Sequence, residues 1–177
     1  NKYVIMYSGN LGLYYDLENL IRVIKEFRKG RTMDGRIEDG PLTADGREVV
    51  FAFVGAGSMK RRLEKYKEKH HIDNVIFIPY QKKEELIYSL NAADVHWCVS
   101  AKGIKGVSVP SKLYGCLAVQ KPVIGVMEPG AEARLIMEEI GCGYACDPGD
   151  YEHEARHVRW FIEHAGSEEV TEMGRRG

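Results

Sequence analysis

Gly103, Gly106, Ser108 and Pro110 lead into Ser111-Lys112-Leu113-Tyr114, which reads as a helix start. Unpaired backbone N–H groups at such a start favour an anion, and Lys112 adds a full positive charge in the first turn. A lysine there slightly opposes the helix dipole, so its presence points to an anionic ligand. A second candidate is Ser8-Gly9-Asn10-Leu11-Gly12, where two glycines bracket a polar residue. Glycine lets backbone amides approach a phosphate closely, although a tight strand-to-helix turn would use the same residues. A third is Gly55-Ala56-Gly57-Ser58. A dinucleotide fingerprint would place its third glycine at Lys60 and an acidic residue after the strand 75–78, where Pro79 stands. That pattern argues against a nicotinamide dinucleotide. Tyr80 sits where a base could stack, while His96 and Trp97 read either as core or as stacking residues.

Two further patterns invite metal chemistry. His153-Glu154-Ala155-Arg156-His157 matches the zinc-protease spacing H-E-x-x-H. The position ten residues after the first histidine is Glu163, and little chain remains downstream to supply a ligand and a cleft. A solvated amphipathic helix with Val158, Phe161 and Ile162 inward is the expectation. Three residues separate Cys142 from Cys146, with neither a second pair nor a suitably placed histidine, so no zinc site is expected. Cys98 and Cys116 read as small core residues. The charged run 60–71 interleaves glutamates with lysines and arginines, as on a solvated face.

The elements that must position these loops are legible as apolar runs alternating with segments of helical period, the mark of a parallel α/β sheet. Strands are expected at 3–8, 49–54, 75–78, 95–99, 122–125 and 143–146. Helices are expected at 16–29, 59–70, 83–90, 111–119, 131–140 and 151–164. Asp16 and Ser58 are candidate N-caps. The stretch 30–46, charged and rich in glycine, reads as a flexible surface loop, and no internal repeat is evident. The fold class is therefore α/β: a single Rossmann-like domain over residues 1–177, with a six-stranded parallel sheet and helices on both faces. Its ligands belong outside the carboxyl ends of the strands.

Composition narrows the function. The 177 residues are 44% apolar and 29% charged, with a formal net charge of −1, which argues against a nucleic-acid partner. The four cysteines are too few for a secreted disulfide scaffold, and a reducing, cytoplasmic compartment is expected. Residue 1 is Asn, and an excised part of a longer protein is expected.

Taken in order, several segments resemble the C-terminal, donor-binding domain of GT-B-fold glycosyltransferases of family 4 (group 1). They are Tyr7-Ser8-Gly9-Asn10-Leu11-Gly12, Phe53-Val54-Gly55-Ala56-Gly57, Asn74 to Pro79 and Ala92-Ala93-Asp94-Val95, then Pro110-Ser111-Lys112-Leu113, Lys121-Pro122-Val123-Ile124 and Asp147-Pro148-Gly149-Asp150. The Pro-Ser-Lys-Leu version resembles the exopolysaccharide and colanic-acid-type subgroup. The resemblance implies a nucleotide-diphosphate sugar as substrate, with no metal or other cofactor and no catalytic residue on this domain. Gly9, Asn10, Leu11 and Gly12, with Gly55 and Gly57, would approach the donor, and Ser111 and Lys112 would hold its phosphates. Tyr80 would border the base; Val107, Ser108, Val109 and Pro110 would face the sugar.

Two departures stand out. The family's Glu-x7-Glu pair, which contacts sugar and ribose, falls at Val107 and Gly115, and its first-loop Arg and Lys fall at Asn10 and Tyr15. Lys112 is then the residue left to neutralise a diphosphate. The resemblance further implies an N-terminal acceptor domain and a saccharide or lipid-linked acceptor. It also implies a place in the cytoplasm, at most peripheral to the inner membrane face. The donor-binding domain alone would bind weakly and transfer nothing. A sugar-nucleotide epimerase of the same fold and a non-catalytic nucleotide-binding or scaffold module remain alternatives.

Overall fold

The computed structural model describes residues 2–32, 34–106 and 111–177. A six-stranded, all-parallel sheet forms from β1 (Lys2–Ser8), β4 (Glu48–Val54), β5 (Val75–Ile78), β6 (Val95–Val99), β7 (Val123–Val126) and β8 (Gly143–Cys146). Their order across the sheet is β5-β4-β1-β6-β7-β8. The order reverses between β1 and β6, so the loops leaving those two strands diverge and open a crevice at their carboxyl ends. Each expected strand is present within a residue or so of its expected bounds.

Strand alternation divides the core. Tyr3, Ile5, Tyr7, Phe51, Phe53 and Trp97 face one layer, in which they pack with α1 (Leu17–Ile24) and α6 (Tyr151–Glu163). Leu63 of α2 (Lys60–Lys69) joins that layer, as do Val170 and Met173 of α7 (Glu168–Arg175). On the opposite face, Cys98, Val123 and Met127 pack with α4 (Lys112–Ala118) and α5 (Glu132–Ile140). There α3 (Leu86–Asn91) contributes Leu90, one more buried side chain. All four cysteines are free and buried. Among the described residues, no helix is long and apolar enough to cross a membrane.

Three expectations need correction. The stretch 30–46 is not an unstructured loop: β2 (Lys29–Arg31) and β3 (Ile37–Asp39) pair antiparallel within it. A short repeat does exist, Thr-x-Asp-Gly-Arg at 32–36 and again at 43–47. Each copy closes the same turn. Thr32 N–H donates to the Arg36 carbonyl and Gly35 N–H to that of Thr32; Thr43, Arg47 and Gly46 repeat both bonds. Gly35 and Gly46 both adopt positive φ, as the bulged hairpin turn requires. Only the second copy is built into the body of the molecule. Its Arg47 pairs with Asp94 at 2.9 Å, and Asp94 also accepts the Val4 amide.

The second concerns the helices, expected to end with 151–164: the chain continues into α7, capped by the Ser167 hydroxyl accepting the Val170 amide. The third concerns caps. Asp16 precedes α1 but stands in the left-handed region at φ 48° and makes no capping bond; its carboxylate instead takes the Asn19 side-chain amide. Met59, not Ser58, occupies the N-cap of α2.

Candidate functional site

At the crevice between β1 and β6 lies a cleft of about 250 Å³, lined by Ser8, Gly9, Val54, Gly55, Tyr80 and Gln81 from the carboxyl ends of β1 and β4 and from the loops after β1, β4 and β5. Leu86 and Leu90 of α3, His96 and Trp97 of β6, and Ser111, Lys112, Gly115 and Cys116 complete it. Six expected site residues thus meet there: Gly9, Gly55, Tyr80, Ser111, Lys112 and Gly115. Four do not line it. Leu11 is wholly buried in the core and Gly12 is buried, Asn10 is exposed, and Gly57 stands against the Leu11 carbonyl. Val107, Ser108, Val109 and Pro110 lie outside the described residues.

Two amides of the first glycine loop are engaged within the fold. Gly9 and Leu11 donate their amides to the carbonyls of Val54 and Ala56, each at 2.8 Å, stitching the β1 loop to the β4 loop. Those amides are therefore not available to a phosphate. The close approach also explains the two glycines. Gly9 and Gly55 hold φ at 142° and 143°, and a Cβ on Gly55 would sit 1.9 Å from the Gly9 carbonyl oxygen.

Lys112 dominates the electrostatics. Its side chain crosses beneath Gly9, where a Cβ would lie 2.3 Å from the lysine Cε. The ammonium sits 3.5 Å from the Tyr15 ring centroid and 5.2 Å from that of Tyr7, a cation–π cradle. Burial pushes its pKa down to about 8, with the thiols of Cys98 and Cys116 partly opposing the shift. Among the described residues no carboxylate pairs with it. The helix it opens has only seven residues, and Ser111 makes no side-chain cap, so positive charge at the cleft comes from the lysine far more than from a helix dipole.

The remaining walls are neutral. His96 is buried, its Nε2 donating to the Leu90 carbonyl at 3.0 Å, and burial pushes its pKa down to about 4, so it stays uncharged at neutral pH. Tyr80 is 75% exposed beside the opening, free to lie against a planar group. Ser8, Leu86, Leu90 and Cys116 were not foreseen. The i, i+4 spacing of Leu86 and Leu90 was the one available signal, and it reads equally as core.

The zinc-like motif is not wholly solvated. His153 pairs with Asp150 at 2.5 Å and His157 stacks on Tyr144, whereas Glu154 is only 2% exposed. One Glu154 oxygen has no partner, and burial, then the nearby Asp16 charge, pushes its pKa up to about 8. Val158, Phe161 and Ile162 point inward as expected. Among the described residues no cluster of three or more His, Cys, Asp or Glu could hold a metal ion.

A six-stranded parallel sheet flanked by helices, with a cleft at its switch point, is a Rossmann-like α/β domain. The chain belongs to the family Glycosyl transferases group 1, whose profile matches residues 1–177. It is 36% identical over 160 residues to "Putative colanic acid biosynthesis glycosyl transferase WcaI" of Escherichia coli (strain K12), covering 90% of this chain and 35% of that protein. It is 28% identical over 149 residues to "Probable glycosyltransferase WbjE" of Pseudomonas aeruginosa, covering 84% of this chain and 33% of that one. The chain therefore spans about a third of these relatives' length. Among solved structures, a mutant of S. aureus TarM, in complex with fondaparinux, alpha-GlcNAc-glycerol and UDP, superposes with a TM-score of 0.71 at 15% identity. That match covers 99% of this chain and 31% of TarM, and it shows the shared fold.

Proposed function

We propose that this chain is the donor-binding domain of a glycosyltransferase, seating the diphosphate of a nucleotide sugar in the cleft between β1 and β6. The observation that carries the proposal is Lys112. Its ammonium is held in place by Tyr15 and Tyr7 at the sheet's switch point, with no carboxylate neutralising it among the described residues. A preorganised cation beside a departing diphosphate stabilises the charge that develops as the sugar–phosphate bond breaks. Lys112 and nearby main-chain amides supply that stabilisation, and no metal or other cofactor is invoked. Tyr80 borders the base.

The acceptor, a saccharide or a lipid-linked one, is held by a second domain. The relatives named for glycosyl transfer and the UDP complex of a protein with this fold support the reading of this chain as a donor-binding domain. Buried, unpaired thiols suit a cytoplasmic setting.

Titration calorimetry with UDP, GDP and ADP tests the assignment. At least one is expected to bind, and Lys112→Ala is expected to weaken it. Failure of all three to bind would overturn it.

A further inference from the structure

We propose that the groove between α1 and α2 is a second anion site, separate from the cleft, that takes a small polyanion built of phosphate groups. The groove has a volume of about 320 Å³, and none of its lining residues lines the cleft. Four cations converge on it, Arg22 from α1 and Arg62, Lys65 and Lys69 from α2, against one carboxylate, Glu18. Glu18 pairs with Arg62. Among the described residues no carboxylate comes within ion-pairing distance of Arg22, Lys65 or Lys69. This uncompensated charge stands on a chain whose formal net charge is −1.

Helix geometry concentrates that charge. Along α2 the glutamates interleave with basic residues, but at about 100° per residue Arg62, Lys65 and Lys69 fall within about 60° of one another. Glu64 and Glu68 project to one side, where Glu64 pairs with Lys60 at 3.8 Å. Lys65 and Lys69, one turn apart, repel each other, a pairing that a merely solvated face would avoid. The α2 dipole favours Lys69 in the last turn but disfavours Arg62 in the first, so it does not account for the cluster. An independent feature points to a ligand. His70 lines the same groove, its ring centroid 4.2 Å from that of Tyr66, and its buried Nδ1 has no hydrogen-bond partner. Burial, then the charges of Lys25, Lys69, Arg28 and His71, push its pKa down. An anion in the groove offsets those charges and lets the ring take a proton. Two guanidiniums and two ammoniums match the several charges and oxygens of linked phosphates, where a single carboxylate would leave cations unmatched.

Calorimetry with inorganic pyrophosphate tests the site on the Lys112→Ala chain, which lacks the cleft's cation. That chain is expected to bind, and adding Lys65→Gln and Lys69→Gln, both at exposed positions, is expected to weaken the affinity about tenfold or more. In the unmodified chain the His70 imidazole, followed by NMR, should titrate at higher pH with pyrophosphate than without it. Absence of binding, an affinity indifferent to the two glutamines, or a His70 titration that does not move overturns the proposal. A second arm separates the sources of the phosphate: sedimentation with phosphatidylcholine vesicles, with and without phosphatidic acid. Retention that needs phosphatidic acid and is lost with the two glutamines assigns the site to a lipid headgroup. Pyrophosphate binding without such retention assigns it to a soluble ligand.

Discussion

The ammonium of Lys112 lies 3.5 Å from the centre of the Tyr15 ring, while its methylene stem passes beneath Gly9. One loop thus fixes the cation twice, by an aromatic face and by a residue that lacks a side chain. Replacing Lys112 with Ala should weaken binding of the best nucleoside diphosphate about tenfold or more, the loss of one charge-assisted hydrogen bond of ~1.5–3 kcal/mol. An unchanged Kd by calorimetry would remove the lysine from the site.

The same amine sets a pH dependence. Its folded-state pKa, pushed down to about 8 by burial, means that raising the pH through 8 removes the charge the anion needs. Affinity should be nearly level between pH 7 and 7.5 and fall about tenfold or more by pH 9.5. Lys112→Arg, whose guanidinium keeps its proton, should flatten that profile. A wild-type Kd that stays constant up to pH 9.5 contradicts the assignment.

Gly55 cannot carry a side chain in this fold. A Cβ would meet the Gly9 carbonyl oxygen at 1.9 Å, and φ stands at 143°. Gly55→Ala should therefore cost at least about 2 kcal/mol in urea unfolding and pull the two loops apart. A variant as stable as the parent would mean that the loops are not stitched as described.

Glu154 ties stability to pH in the direction opposite to a salt-bridged carboxylate. Its folded pKa, pushed up to about 8, lies above that of the unfolded chain, so the native state holds more protons between about pH 4.5 and 8. Stability should fall as pH rises through that window, by on the order of 1 kcal/mol per unit at most. Glu154→Gln should match the parent near pH 5 and be the more stable of the two near pH 8. Parallel melting curves for the two proteins across this range would refute it.

The duplicated turn supplies its own control. Arg47 is 21% exposed and braced against Asp94, whereas its counterpart Arg36 is 79% exposed. Arg47→Ala should cost ~1–3 kcal/mol in chemical denaturation, and Arg36→Ala should stay within ~0.5 kcal/mol. Equal costs would show that sequence identity, not burial, governs the turn's contribution.

Short, largely apolar runs bounded by turn residues are legible as strands, which is why 75–78, 95–99 and 143–146 could be placed to the residue, the wholly buried 95–99 and the part-exposed edge strands alike. The hairpin of Lys29–Arg31 and Ile37–Asp39 could not, because its strands are three residues long and largely polar, without an alternating face. In the cleft, Lys112 was visible because a cation at a helix start is unusual. Leu90 and Cys116 were hidden, since a wall residue and a core residue look alike until the sheet's faces are known. The stitching of the first glycine loop was hidden for a related reason. Glycine at 9 and 55 signals a close approach, but sequence does not say whether the neighbour is a ligand or the next loop's backbone.

The rod that begins at Lys112 ends against the tail of the chain. Just past it Gln120 turns at φ 54°, and its carbonyl nestles so near Gly174 that any Cβ there would come within 2.3 Å. Seven helical residues span only about 10 Å, so the amine and this remote seat are opposite ends of one short lever. Crowding the tail at position 174 should therefore tilt the lever and loosen the grip on the anion from the far side of the domain.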